Sequence, residues 1–362
     1  MEVRLLKKIW ILFIFPALVF VFLTVSGHHG IENTARLTLS ALHPLKTAKY
    51  ILDADSASVL PLLPHNDSEE YPSPFENFEN ESPIASPSAP PQPVIDTDYP
   101  IVPMTYPLAQ TDITYRRQNC YVKNVTRLSR GEVEAELLQE TAFKVEKNSN
   151  EPQILIMHTH ATESYQNWNE LYYDPAYTCR DTDTSRNMVS VGEILTEKLN
   201  SLGYNTLHDV TLHDYPNYNG SYDRSKSTVE SYLEKYPSIK VVLDIHRDAI
   251  ERADGTRIKP VVTINGKPYA QVMIISGADN GYLNMPNYKK NLRFASHLQN
   301  SMETLYPGFT RPILFDYRNY NQQLTTGSLL IEVGGHANTL EEAQNSAVLI
   351  ACSLADVFDS MQ

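Results

Sequence analysis

Cysteine is scarce in this chain. Its three thiols, Cys120, Cys179 and Cys352, are too few and too scattered for a disulfide framework, and no two stand in a C-x-x-C arrangement. One pair could bridge, though the sequence does not say which, and free buried thiols are the simpler reading. Positive charge is scarce as well: 30 Lys and Arg stand against 43 Asp and Glu, for a formal net charge of -13. The deficit is uneven. Residues 1–50 carry a net +4, residues 51–115 hold eleven acids with no Lys or Arg, and the rest from Arg116 carries -6. The absence of a basic patch excludes a nucleic-acid footprint. No internal repeat is visible.

What is present is enough apolar material for one sizeable globular domain with added segments: 42% of the 362 residues are hydrophobic and 20% charged. Residues Ile9 to Val25 form an uncharged apolar run behind Arg4, Lys7 and Lys8. At about 1.5 Å rise per residue the run is near the short end of what spans a bilayer, and the cations before it keep the N-terminus cytoplasmic. Pro16 is tolerated in such a helix. The competing reading is a secretory signal cut near Val25-Ser26-Gly27. Either way the main domain lies outside the cytoplasm. From Tyr71 to Pro107 the composition turns to Pro, Ser, Glu and Asn, with Ser82-Pro83, Ser86-Pro87 and Ala89-Pro-Pro-Gln-Pro93. Such a segment buries too little apolar surface to offset its ordering entropy and reads as a tether. The expected division is a cytoplasmic N-terminus and transmembrane anchor at 1–27, a membrane-proximal segment and Pro/acidic linker at 28–109, and a folded domain at 110–362.

Within that domain short β-branched runs alternate with helical periodicities. Gln153 to Met157, Lys240 to Ile245, Pro260 to Ile264, Gln271 to Ser276 and Ser328 to Val333 read as strands. Met188, Val191, Leu195, Leu199 and Leu202 recur at helical spacing and stop at Gly203, and Leu292 to Leu305 repeats the pattern before Pro307. Thr339-Leu-Glu-Glu342 is a capping box opening a last helix through Phe358. This order predicts an α/β domain with a largely parallel sheet flanked by helices.

Three of the apolar runs end in His or acid. Ile154-Leu-Ile-Met-His158-Thr-His160-Ala-Thr-Glu163-Ser-Tyr165 contains an H-x-x-E spacing; Val241-Val-Leu-Asp244-Ile-His246-Arg247-Asp248 and Ser328-Leu-Leu-Ile-Glu332-Val-Gly334-Gly335-His336 supply the rest. Zinc accepts imidazole nitrogen and carboxylate oxygen, and catalytic sites hold it with three protein ligands and one open position. His160, Glu163 and His246 are the expected ligands, and Glu332 the general base that takes a proton from bound water. His158 competes with His160, since an H-x-H pair shares one face of an extended chain. It is otherwise a substrate-contacting or supporting group. Asp244 and Asp248 would orient His246. Arg247 would bind an anion or form a structural ion pair, and His336 and Asn338 would wall the cleft. Each motif alone has a plain structural alternative. A carboxylate in a central strand is harder to dismiss, because burying it unpaired costs several kcal/mol.

The string His158-Thr-His160-Ala-Thr-Glu163-Ser-Tyr165, with Asp244-Ile-His246-Arg247-Asp248-Ala249 and Ile331-Glu332-Val-Gly-Gly-His-Ala-Asn338-Thr-Leu-Glu-Glu-Ala343, closely resembles the stage II sporulation protein P family. The resemblance runs from about Gln153 to the C-terminus and extends to the plan of anchor, linker and C-terminal domain. It implies a zinc peptidoglycan hydrolase acting between the mother-cell and forespore membranes during engulfment, with a fold similar to that of the zinc N-acetylmuramoyl-L-alanine amidases. The implied reaction is cleavage of the amide between muramic acid and the stem peptide, with endopeptidase activity on cross-linked stems. Stage II sporulation proteins D and M are the implied partners. By the same resemblance His160 matches the first zinc His, His246 the second and Glu332 the catalytic acid. The amidases' carboxylate ligand stands at the start of their first long helix; Thr184 to Asn187 here has no Glu, and Glu163 is its substitute. Two alternatives stand beside this reading. One is a non-catalytic wall-binding scaffold. The other is a zinc carboxypeptidase, for which Arg247 or Arg293 would have to bind the substrate carboxylate.

Overall fold

The computed structural model of the protein describes residues 98–361. The apolar run Ile9 to Val25 and the proline cluster around Ala89 lie outside the described residues. Among those described, no helix is long and apolar enough to cross a membrane. In chain order the elements are β1 (Ile101–Met104), β2 (Thr114–Arg117), β3 (Cys120–Asn124), α1 (Arg130–Glu136), β4 (Ile154–Met157), α2 (Met188–Ser201), β5 (Thr206–His208) and α3 (Ser221–Lys235). They continue with β6 (Val241–Asp248), β7 (Arg257–Ile264), β8 (Lys267–Ala270), β9 (Val272–Gly277), α4 (Tyr288–Leu305), β10 (Ile313–Asp316), β11 (Gly327–Gly335) and α5 (Leu340–Asp359).

Eight of the strands form one sheet in the order β2-β3-β10-β9-β11-β6-β4-β5. Five of its seven neighbouring pairs are parallel, and the β9–β11 and β2–β3 pairs are antiparallel. The sheet is therefore α/β and largely parallel, though mixed. Because β9 enters against β11, the carboxyl ends of β4, β6 and β11 share an edge with the amino ends of β9 and β10. A second sheet of three strands, β1-β7-β8, includes residues assigned by composition to the linker. Ile101 and Val102 pair in parallel with Arg257 and Ile258, and Pro103 is tolerated because β1 is an edge strand.

The two faces of the large sheet differ in kind. Side chains alternate along a strand, so Ile154 and Ile156 of β4, Val241, Leu243 and Ile245 of β6, and Leu329, Ile331 and Val333 of β11 all join one large apolar cluster. Helices α2, α4 and α5 close it with Val191, Leu195, Leu298, Ala347, Ile350 and Phe358. The opposite face carries a smaller cluster, Leu155, Met157, Val229, Ile239 and Val242, beneath α3. The predicted capping box holds: Thr339 accepts from the Glu342 N–H, and the Glu342 carboxylate reaches back to the cap. Gly203 ends α2 at φ 89°.

His158 belongs to the apolar side, and this corrects its expected place beside His160. A turn begins at Thr159, so His158 continues the β4 alternation to the apolar side while His160 leaves it. The His158 Nδ1–H donates to the Ile245 carbonyl at 2.9 Å, and its Nε2 is 2.9 Å from Nε2 of His208. Burial brings its pKa down to about 3, so the ring is neutral. Gly192 of α2 leaves room for this pair, because an added Cβ there would overlap both Nε2 atoms. Gly192→Ala is expected to destabilise the chain by about 1–3 kcal/mol through overpacking. Denaturant unfolding checks this, and an unchanged midpoint would refute the close packing.

Candidate active site

The same alternation assembles the site. With the odd residues of β6 in the apolar cluster, Asp244, His246 and Asp248 point to the opposite face. In the parallel pairing of β6 with β11, Glu332 stands directly opposite His246. A register shift follows between Glu332 and Gly335. Gly334 there has φ 68°, and an added Cβ would meet Asn338 Oδ1 at 2.5 Å. Gly334 thus allows a close approach of the protein's own chain.

His160 and Glu163 come from the turn after β4, closed by the Glu163 N–H donating to the His160 carbonyl at 3.1 Å. The rings of His160 and His246 lie 5.2 Å apart and nearly perpendicular at 89°. His246 sits between two carboxylates, with Asp244 Oδ1 2.8 Å from its Nε2 and Glu163 Oε2 3.5 Å from its Nδ1. Asp244 is fixed in turn by the Thr159 N–H at 2.8 Å and hydroxyl at 2.7 Å. Glu163 accepts from the Arg247 N–H at 3.2 Å and lies 3.9 Å from the Arg180 guanidinium, which binds Asp214 at 3.0 Å. All four principal residues, His160, Glu163, His246 and Glu332, are at most 1% exposed.

Burial and charge push these groups apart in pKa. Burial lowers His160 to about 3, so its ring is neutral. Burial disfavours the His246 cation, yet Asp244 and Glu163 outweigh it and raise its pKa well above the ordinary value. Burial likewise opposes ionisation of Glu163, but Arg247 and His246 hold it below the usual carboxylate range. Glu332 goes the other way: burial first, then Asp248, raises it well above the usual range. Its Oε2 has no hydrogen-bond partner among the described residues.

Aromatic side chains cover His160. Tyr218 stacks on it at 4.6 Å and 11°, with its hydroxyl 3.2 Å from His160 Nε2. Tyr222 meets the ring edge-on at 5.5 Å and stacks on Tyr320 at 5.3 Å. Arg180 lies 4.9 Å from the Tyr218 ring centroid. None of these was read from the sequence. The Tyr- and Asn-rich string Tyr215-Pro-Asn-Tyr218-Asn-Gly220-Ser-Tyr222 was the available signal, because such a loop opening a helix positions aromatic groups without apolar periodicity.

The remaining predicted residues separate by role. The Arg247 guanidinium donates to the Ser164 and Cys179 carbonyls at 2.8 and 2.9 Å, so it braces the turn. Arg293, in the second turn of α4, pairs with Glu136 at 2.8 Å. Asn338 is a brace as well, corrected from cleft wall: its amide oxygen accepts from the Gly335 N–H, and its nitrogen donates to the Pro260 carbonyl and to Glu342. His336 is buried, with its backbone N–H donating to the Asp248 carbonyl at 2.8 Å. Asp248 pairs with Arg311 at 2.8 Å and not with His246. Among the described residues no group of three or more His, Cys, Asp or Glu is disposed to hold a metal ion as it stands. The donor set nevertheless fits zinc in kind, with two imidazoles and a carboxylate beside the unpartnered oxygen of Glu332. In this conformation protein neighbours engage those donors, Tyr218 at His160 and the two carboxylates at His246.

Comparison with known proteins places the chain. It is 29% identical over 276 residues to stage II sporulation protein P of Bacillus subtilis, covering 73% of this chain and 63% of that one. The chain thus spans less than two thirds of that relative's length. Among solved structures it is similar to an N-acetylmuramoyl-L-alanine amidase of Nostoc punctiforme, at TM-score 0.33 and 12% identity over 59% of this chain and 97% of the other. The N-acetylmuramoyl-L-alanine amidase from Clostridium difficile 630 gives 0.33 and 14% over 59% and 97%. A metallo-carboxypeptidase from Burkholderia cenocepacia gives 0.34 and 9% over 61% and 60%. Likenesses this loose assign no residue and do not separate amidase from carboxypeptidase. The family model for stage II sporulation protein P matches residues 101–356, most of the chain and the whole of the site just described, and the protein belongs to that family.

Proposed function

We propose that the protein is a zinc-dependent peptidoglycan hydrolase that cleaves the amide between N-acetylmuramic acid and the stem peptide, with stem cross-links as a second target. It would act in septal wall degradation during forespore engulfment, held outside the cytoplasm by the apolar segment Ile9 to Val25 and working beside stage II sporulation proteins D and M. Family membership supports the setting. One observation carries the chemistry: Glu332, with an unpartnered oxygen, stands in register with His246, within one buried cluster with His160 and Glu163.

In this reading His160, Glu163 and His246 hold zinc, which when bound lowers the pKa of its water toward about 7. Glu332 accepts the proton as the water attacks and returns it to the departing nitrogen. A carboxylate whose pKa is raised by burial and by Asp248 is suited to this, because proton transfer is most efficient when the acceptor's pKa approaches the working pH. Asp244 fixes the orientation of the His246 ring, and Thr159 fixes Asp244. The scaffold alternative would leave such a complete His, Glu, His and Glu set without a use.

Glu332→Gln is expected to slow release of stem peptides from purified peptidoglycan by about 10²- to 10⁴-fold. Release at the wild-type rate would remove Glu332 as the base. The same substitution should stabilise the metal-free chain near neutral pH. The sign follows from the raised folded pKa: Glu332 favours folding while protonated, and that contribution is lost as pH rises from its unfolded value through the folded one. The gain should vanish in unfolding measured below about pH 4, where the carboxyl is neutral in both states. Metal content separates the ligands. His160→Ala and His246→Ala should each lose most of the zinc, while His158→Ala, behind the sheet, should keep it. Zinc lost only with His158→Ala would reverse the assignment.

A further inference from the structure

Arg311 is a buried cation that the chemistry above leaves unused. It stands two residues before β10 and is 6% exposed. Its backbone N–H donates to the Val272 carbonyl at 2.8 Å, and Val272 is the β9 residue paired with Val333, next to Glu332. Its guanidinium is tied at one point only, Nη1 to Asp248 Oδ2 at 2.8 Å. Nε and Nη2 are both buried without a hydrogen-bond partner among the described residues. These two nitrogens form one edge of the guanidinium, and their N–H bonds point the same way in the fork that matches the two oxygens of a carboxylate. A purely structural ion pair with Asp248 does not explain an open edge, since buried donors are normally satisfied.

The approach to that edge is also defined. Arg311 Cζ lies 5.7 Å from the ring centroid of Tyr106. Tyr106 is half-buried and lines a surface groove of about 530 Å³ together with Pro107, Tyr121 and Gly308. Tyr106 is thus common to the groove and to the surroundings of the guanidinium.

We propose that Arg311 forms a carboxylate-binding subsite of the hydrolytic site. Nη1 stays on Asp248, and the Nε/Nη2 edge takes both oxygens of a peptide carboxylate entering from the Tyr106 groove. This rests on the reading of the site as a peptidoglycan hydrolase and adds a requirement to it: the substrate presents a free carboxylate close to the scissile amide. In a stem peptide that group is either the free carboxylate of the second residue or the chain terminus.

Three probes separate the sources: L-alanyl-γ-D-glutamyl-L-lysinamide, which keeps only the second-residue carboxylate; the form amidated there with a free C-terminus; and the fully amidated tripeptide. Binding to the full-length chain, followed by NMR titration, is expected to favour one carboxylate form over the fully amidated peptide by about 10- to 100-fold, from two charge-assisted hydrogen bonds. Whichever form binds identifies the source. Arg311→Lys keeps a cation for Asp248 but has no fork, and should cut that preference at least tenfold. Equal binding of all three peptides by the wild-type chain overturns the subsite and leaves the hydrolase reading standing, with no variant needed. A preference that survives Arg311→Lys also overturns it, whereas failure of all three to bind overturns the subsite and the peptide substrate together.

Discussion

The constraint on which the rest of the site depends is the burial of His246 between Asp244 and Glu163, directly opposite Glu332. Each ion taken out of water costs several kcal/mol unless neighbours replace its hydration. The surrounding sequence supplies that replacement. Thr159 gives Asp244 two donors, the Arg247 N–H and the Arg180 guanidinium face Glu163, and Asp214 balances Arg180. Among these carboxylates Glu332 keeps an unpartnered oxygen, and burial with the nearby Asp248 raises its pKa. Under-satisfied buried groups of this kind concentrate where structure gives way to chemistry.

That arrangement is possible because the sheet is unequal. The face under α2, α4 and α5 is almost wholly apolar, and each fully buried Leu, Ile or Phe there contributes roughly 1.5–3 kcal/mol. The opposite face has only a small apolar patch beneath α3 and gives its remaining positions to ionisable residues. Side-chain alternation along β6 does both jobs with one strand, Val241, Leu243 and Ile245 to one side and Asp244, His246 and Asp248 to the other. A one-residue slip of β6 would exchange the two sets.

Much of this was legible because it rests on local pattern. The apolar runs of β4, β6 and β11, the capping box of α5 and the stop at Gly203 are short-range signals, and each falls within a few residues of its expected bounds. That His160, Glu163, His246 and Glu332 would gather in one cluster was legible for the same reason. His158 was misplaced because the H-x-H argument assumed an extended chain where a turn begins. The start of the folded region was set late because Pro103 and its acidic surroundings mask a strand stabilised by a partner more than 150 positions away. Arg311 and Tyr218 were missed for a different reason. Neither lies in a periodic segment, and each reaches the site through a long-range contact, to Asp248 63 positions away and to His160 58 positions away.

Arg247 and Arg311, two of the three buried arginines beside the site, show how partner count separates bracing from recognition. Arg247 spends its side-chain donors on the Ser164 and Cys179 carbonyls and its backbone N–H on Glu163, so it fixes the turn that carries Glu163. Arg311 spends one nitrogen and keeps an edge open. Tyr218 completes the logic from the other side. Its hydroxyl is at His160 Nε2, the buried nitrogen through which that ring could ligate an ion, and the segment bearing it is anchored nearby by Asp214 on Thr162 and His213 on the His158 carbonyl. Any group that reaches that nitrogen must displace the phenol, while the anchors at His213 and Asp214 keep the start of the segment in place. The Arg224 guanidinium of α3 donates to the Asn217 and Asn219 carbonyls on either side of Tyr218, so the phenol is held in place from the helix that follows it.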